Sequence, residues 1–141
     1  MIFLDTNVVS ELLRSRPDPG VLEWSDGLPR EQMCIASVVE AELRAGVERL
    51  PDDRRKREAG WALEGFLRAA FEGRVFPFDR AATPIYAGLV AVRRRAGRPV
   101  SVPDALIAAT ARAHGAALLA TRDTRGFEDC GVALVNPRDG P

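Results

Sequence analysis

The chain has 141 residues, 46% of them hydrophobic and 28% charged, and its 20 basic and 20 acidic residues cancel to a formal net charge of zero. That composition belongs to a globular domain long enough to bury a real core. It excludes a membrane span, which needs ~20 consecutive apolar residues, and a protein that coats DNA through net positive charge. Ile2 to Leu4 are short, continuous and apolar, the pattern of a strand buried on both faces. They run into Asp5-Thr6-Asn7, where Thr6 or Asn7 caps a helix through Val8, Val9, Leu12 and Leu13. Three apolar residues ahead of Asp5 are too few for a signal peptide, so a cytoplasmic protein is expected.

Arg16-Pro17-Asp18-Pro19-Gly20 breaks the chain, and Val21, Leu22 and Trp24 suggest a short second helix ending near Gly27. Met33 to Ala36 reads as the second strand. Ser37 then caps a helix to about Leu50, stopped by Pro51, with Val39, Leu43, Gly46, Val47 and Leu50 on its core face. Asp52 and Asp53 open a further helix carrying Trp61, Leu63, Phe66, Leu67 and Phe71, so the two helices form a hairpin on the flank of the sheet. Gly73 ends it. Val75 to Phe78 is a strand whose Pro77 requires an edge or a strand end. A helix from about Ala82 to Ala96 turns Ile85, Leu89 and Val92 inward. Another runs from Ser101 through Leu106, Ile107 and Ala111 to Gly115. Ala117 to Ala120 form a strand that delivers Thr121-Arg122-Asp123, and Val132 to Val135 form the last. Strands alternating with helices imply one α/β domain over residues 1–141: three layers around a mostly parallel sheet of four or five strands.

Cys34 and Cys130 are far apart and form no CxxC pair, which argues against a zinc site or disulfide framework; both read as packing residues, Cys34 the more buried. Lys56 is the only lysine. The runs Arg54-Arg55-Lys56-Arg57 and Arg93-Arg94-Arg95 can grip phosphate, although such runs usually mark solvated helix faces.

Four acids lie where elements begin or where a helix faces inward: Asp5, Glu42, Asp104 and Asp123. Asp5 and Asp123 each follow a strand, and in an open α/β sheet the carboxyl ends of the strands are where ligands bind. Each acid has a plain structural role available. Asp5 can merely cap a helix, Ser101 with Asp104 fits a capping box, Asp123 fits an Asx-turn and Glu42 fits a helix surface. Taken together they point further. The single histidine, His114, supplies no evident base, and no Walker loop or GxGxxG occurs. Carboxylates forced together repel unless a cation joins them, and oxygen ligands suit a hard ion such as Mg²⁺ or Mn²⁺. Glu42 is separable from its neighbour Glu40. Glu40 has Arg44 four residues on, in the favourable orientation, whereas Glu42 has no basic residue three or four positions away.

In these residues the sequence resembles the PIN-domain ribonucleases, specifically the VapC-type toxins of type II toxin–antitoxin systems, in the FitB-like branch. The stretches that carry the likeness are Leu4-Asp5-Thr6-Asn7-Val8-Val9-Ser10-Glu11-Leu12, Ala41-Glu42-Leu43-Arg44-Ala45-Gly46, Pro103-Asp104-Ala105-Leu106-Ile107-Ala108-Ala109 and Ala120-Thr121-Arg122-Asp123. The resemblance implies a Mg²⁺- or Mn²⁺-dependent endoribonuclease. Its metal acids fall on Asp5, Glu42, Asp104 and Asp123, with Asn7 steadying the first aspartate and Thr6 and Thr121 supporting the site. It further implies a homodimer held inactive by a VapB-type antitoxin and touching DNA only through that partner. Two departures stand out. Relatives often read Thr-Arg-Asn-x-x-Asp-Phe, with the acid where this chain has Gly126, and an aromatic often follows the proline of Asn136-Pro137-Arg138. Two rivals remain at this level. A haloacid-dehalogenase-type phosphatase would need a second acid at Asn7, and a catalytically inert dimeric module would use its acids only as caps.

Overall fold

A computed structural model describes residues 1–140. Five strands form one sheet in the order β3-β2-β1-β4-β5, where β1 is Ile2–Leu4, β2 Met33–Ala36, β3 Val75–Phe76, β4 Leu118–Ala120 and β5 Leu134–Val135. Every neighbouring pair is parallel. The register sets Phe3 between Cys34 and Leu119. That central position explains the unbroken apolar run of β1, since both of its faces are covered. Edge strand β3 ends at Phe76, so Pro77 removes no ladder hydrogen bond, as its position in the sequence requires.

Among the described residues seven α-helices connect the strands: α1 Thr6–Leu12, α2 Pro19–Asp26, α3 Ser37–Glu48, α4 Arg54–Phe71, α5 Ala82–Arg95, α6 Val102–Ala113 and α7 Thr124–Phe127. Helix α3 packs on α4 as the expected hairpin, tied on its outer side by Arg44, which bridges Glu40 and Glu64. Helix α5 packs on α6. Helix α6 is nearly all small or apolar, and its Ala105, Ile107, Ala108, Ala109 and Ala111 are buried, which lets its backbone lie close to the sheet.

The chain leaves β1 for β2 and β3 on one side and returns to β4 and β5 on the other. The order therefore reverses between β1 and β4, the switch point at which open α/β sheets bind ligands. Asp5 and Thr121 stand at the carboxyl ends of those two strands.

Several expectations are corrected in detail. Helix α1 is capped by Asp5 rather than by Thr6 or Asn7, with the Asp5 carboxylate accepting from the Thr6 N–H. Helix α3 has Ala36 at its cap and Ser37 already inside the first turn, where the serine makes no capping bond. Trp61 points outward and is 70% exposed; the buried stripe of α4 is Leu63, Leu67 and Phe71. Val92 is exposed and its neighbour Arg93 is buried instead. Cys34 and Cys130 are both fully packed, so the expected difference between them is absent.

Candidate active site

A cleft of about 620 Å³ opens over the carboxyl ends of β1 and β4. Asp5, Thr6, Asn7, Glu42 and Asp104 line one part of it, so the β1–α1 turn, the middle of α3 and the first turn of α6 converge as the motif pattern requires. Thr121 lies directly behind Asp5. Asp123 caps α7 beside Asp104, off the cleft wall.

The hydrogen bonds around Asp5 run in one direction. The Arg122 N–H donates to Asn7 Oδ1 at 3.1 Å, which fixes the amide so that Asn7 Nδ2 donates to Thr121 Oγ1 at 3.2 Å. The Asp123 N–H also donates to Thr121 Oγ1, at 3.0 Å. With its acceptor sites thus taken, the Thr121 hydroxyl donates to Asp5 Oδ2 at 2.8 Å, while Asp5 Oδ1 accepts the Thr6 N–H at 2.7 Å. Thr6 turns its hydroxyl to Glu42 Oε1 at 2.7 Å. Both Asp5 oxygens therefore accept hydrogen bonds, an arrangement that suits the carboxylate and not the acid.

Electrostatics pull the other way. Asp5 is only 5% exposed. Burial lifts its pKa from 3.8 to about 6; the Thr121 hydroxyl and the Thr6 N–H hold it down, and the charges of Asp104 and Glu42 add to the rise. Asp104 is also raised, first by burial, then by Glu42 and Asp123, with the Ser101 hydroxyl and the Arg93 guanidinium opposing. The donors are oxygens alone, converging in a site that resists their joint ionisation, and a hard divalent cation fits that donor set. Among the described residues the acids are not drawn into a finished cage around one point.

Asp123 reaches the cluster through a gap left by Gly126. The Gly126 N–H donates to Asp123 Oδ1 at 3.2 Å. A Cβ at Gly126 would stand 2.8 Å from Asp123 Oδ2 and 3.4 Å from Asp104 Oδ2, so the aspartate carboxylate lies where a side chain at residue 126 would begin. The departure of the motif at Gly126 and the acid at Asp123 are thus two aspects of one local arrangement.

The rest of the cleft wall is Ser10, Glu11, Arg14 and Arg122, none of which the sequence reading singled out as functional. The signal was present: Glu11, in the last turn of α1, and Arg14, just past its end, are three residues apart, and Arg122 sits between Thr121 and Asp123. The runs Arg54-Arg55-Lys56-Arg57 and Arg93-Arg94-Arg95 lie outside the cleft wall. Arg54 and Lys56 pair with Glu58 and Glu48 on the surface, and Arg93 is buried. His114 ends α6 beside Pro77 and stacks on Phe76, away from the cleft wall.

Comparison with known proteins places this geometry. Residues 2–132 match the family model described as PIN domain. The chain is 43% identical to "VapC ribonuclease Y4jK" of Sinorhizobium fredii over 97% of each protein. It is 39% identical to "Toxin FitB" of Neisseria gonorrhoeae, covering 97% of this chain and 98% of that one. The solved structure described as FitAB bound to IR36 DNA fragment superposes with a TM-score of 0.90 at 38% identity, covering 98% of this chain and 96% of that chain.

Proposed function

The chain belongs to the PIN-domain family, and from that premise we propose that it is a Mg²⁺- or Mn²⁺-dependent endoribonuclease, the toxin of a toxin–antitoxin pair, working as a single PIN domain over residues 1–141. The observation that carries this reading is Asp5. An aspartate that serves only as a cap gains from ionisation beside a helix N-terminus. Asp5 instead sits buried among Asp104 and Glu42 at the strand-order reversal, with its carboxyl raised toward neutrality, a cost retained for chemistry.

Asp5 and Asp104 are the principal metal ligands; Glu42 and Asp123 complete the acidic pocket. The chemistry a divalent ion supplies to such a donor set is neutralisation of the phosphodiester charge and activation of a water as nucleophile. The chain's own residues set the geometry. The Thr121 hydroxyl donates to Asp5 Oδ2 and the Thr6 hydroxyl donates to Glu42 Oε1, which orients both carboxylates. Asn7 fixes the direction of the Thr121 hydroxyl. The phosphatase reading is disfavoured because it needs a second carboxylate where this chain has Asn7. An accessible backbone must enter the cleft, so the substrate is single-stranded or looped RNA.

The test is cleavage of RNA by the purified chain with Mg²⁺ or Mn²⁺ against EDTA, in paired variants of α3. Glu42→Gln is expected to lower cleavage roughly 100-fold, the scale of losing one charge-positioning group in a site. Glu40→Gln, which only releases the Arg44 pair at 2.7 Å, is expected to act within about twofold and to cost ~0.2–0.5 kcal/mol of helix stability. Equal activity in the two variants, with unchanged circular dichroism, removes Glu42 from the site.

The partner reading rests on a second feature. An apolar groove of about 430 Å³ runs between α1, α2 and α4, lined by Leu12, Leu22, Leu28 and Phe66 among others. It fits the apolar face of an amphipathic antitoxin tail, and because α1 also walls the cleft, such a tail leads toward the acids. Ala87, Gly88 and Val92 leave an exposed apolar face on α5 for a second copy of the chain. Contact with DNA then belongs to the antitoxin, in keeping with a chain of zero net charge. The site of action is the cytoplasm, and no described helix is long and apolar enough to cross a membrane. Light scattering on the complex co-expressed with its cognate antitoxin is expected to show two copies of this chain. Failure to co-purify, or a mass holding one copy, overturns the corresponding half of this assembly.

A further inference from the structure

We propose that Arg122 and Arg14, ordered by the buried carboxylate of Glu11, form a seat for a backbone phosphate of the RNA next to the one that is cleaved. This rests on the nuclease reading for its substrate. The three side chains share the cleft with Asp5, Glu42 and Asp104. An acidic cluster repels a polyanion, and neutralising the phosphodiester at the acids leaves the adjoining phosphates uncompensated. A positive wall beside the acids meets that need.

Glu11 is 4% exposed and lies in the cleft, yet it is not a further metal acid. Its Oε1 accepts the Asp18 N–H at 2.8 Å, and its Oε2 accepts Arg122 Nη1 at 2.6 Å and Arg14 Nη1 at 3.3 Å. One carboxylate thus holds two guanidiniums, and the trio carries a net positive charge. Glu11 is a positioning residue and the arginines are the contacts. Among the described residues the Arg122 guanidinium hydrogen-bonds to Glu11 alone, so most of its N–H donors remain available in the planar fork that matches phosphate. Its backbone is locked to the catalytic scaffold, because the Arg122 N–H holds Asn7 in the orientation that directs Thr121 at Asp5. Phosphate seat and acids therefore keep a fixed spacing. Arg14 is the looser member, 67% exposed and on the longer bond, and it closes the outer side.

The test is fluorescence anisotropy with a labelled single-stranded RNA oligonucleotide, read between about 50 and 200 mM salt. An Asp104→Asn background separates binding from cleavage. Arg122→Gln is expected to weaken binding about tenfold and to reduce the salt slope by ~0.7, the single-strand value for one lost phosphate contact. Arg14→Gln is expected to weaken it about threefold with a smaller loss of slope. Arg122→Lys keeps the slope and loses part of the affinity, because it keeps the charge without the fork. Arg68→Gln, exposed on α4, changes neither. Unchanged affinity and slope in both glutamine variants, with melting curves like the parent, overturns the seat; if Arg122→Gln fails to fold, the mostly exposed Arg14 carries the decision. Cleavage by the unsubstituted chain decides the nuclease reading separately. Cleavage without any arginine effect removes the seat alone, and arginine-dependent binding without cleavage removes the nuclease and leaves the seat.

Discussion

Asp5→Asn is expected to abolish metal-dependent cleavage and, in EDTA at pH 8, to make the protein more stable than its parent. The folded state holds the Asp5 proton with a pKa of about 6, against 3.8 for the free side chain. Below pH 4 the group is neutral folded or unfolded and contributes nothing. Between about 4 and 6 the unfolded chain releases a proton that the folded chain keeps, so stability falls as pH rises through that window and stays lower above it. The full difference is worth about 3 kcal/mol. Asparagine removes that cost but serves only one of the two donors aimed at Asp5, Thr6 N–H and Thr121 Oγ1, which returns ~1 kcal/mol. The net gain is on the order of 1–2 kcal/mol, visible as a rise in Tm of several degrees. Thermal unfolding in EDTA at pH 5 and pH 8 checks it: the parent loses stability between the two and the variant loses less. Mg²⁺ at pH 8 should then restore the parent and leave the variant unmoved, since an ion bound only by the folded state stabilises it by mass action. A variant less stable than its parent at pH 8, together with a parent indifferent to Mg²⁺, would show that Asp5 is a structural acid.

The elements that were legible in the sequence are those whose signal is local. The run Ile2 to Leu4 announced a central strand because only a strand covered on both faces dispenses with alternation. Pro77 announced an edge or a strand end because it has no donor for the ladder. The acids Asp5, Glu42 and Asp104 were legible because their separate positions shared one chemistry, and the cleft unites them. What failed to show was set by distant partners. On α5 the stripe Ile85, Leu89, Val92 and the stripe Leu89, Arg93 differ by one position, about 100° on the helix. Hydrophobicity prefers the valine, whereas the fold supplies carbonyls that satisfy the arginine. Glu11 and Arg122 carry no functional signal of their own in the sequence, because their pairing joins residues 111 apart in the chain. Asp123 was found as an acid after a strand, but its approach to Asp104 depends on the missing side chain of Gly126, which no spacing rule expresses.

Arg93 carries the second large effect. It is 4% exposed, yet no carboxylate hydrogen-bonds to it among the described residues. Its Nε donates to the Arg98 carbonyl at 2.6 Å, and its Nη1 donates to the carbonyls of Glu128 at 2.6 Å and Arg125 at 3.1 Å. It thereby fastens the end of α5 to the loop behind it and to the segment carrying α7. Arg93→Met keeps the apolar stem and strands three carbonyls, each costing ~1–3 kcal/mol if left dry. Partial hydration of this near-surface segment brings the expected loss to about 3 kcal/mol, or roughly 10 °C in Tm. Arg94→Met, one residue on and exposed, is expected to change stability by less than ~0.5 kcal/mol. The same substitution should reach the active site. Arg93 opposes the rise in the Asp104 pKa, so its loss raises that carboxyl further. The anchored segment also includes Gly126, whose N–H holds Asp123. Below saturation by metal, the acidic limb of the cleavage profile should therefore move to higher pH in Arg93→Met and stay in place in Arg94→Met. Equal melting temperatures for the two variants would mean that solvent replaces the guanidinium without loss. A lowered Tm with an unmoved pH profile would confine Arg93 to the fold and separate the anchoring of α7 from the electrostatics of Asp104.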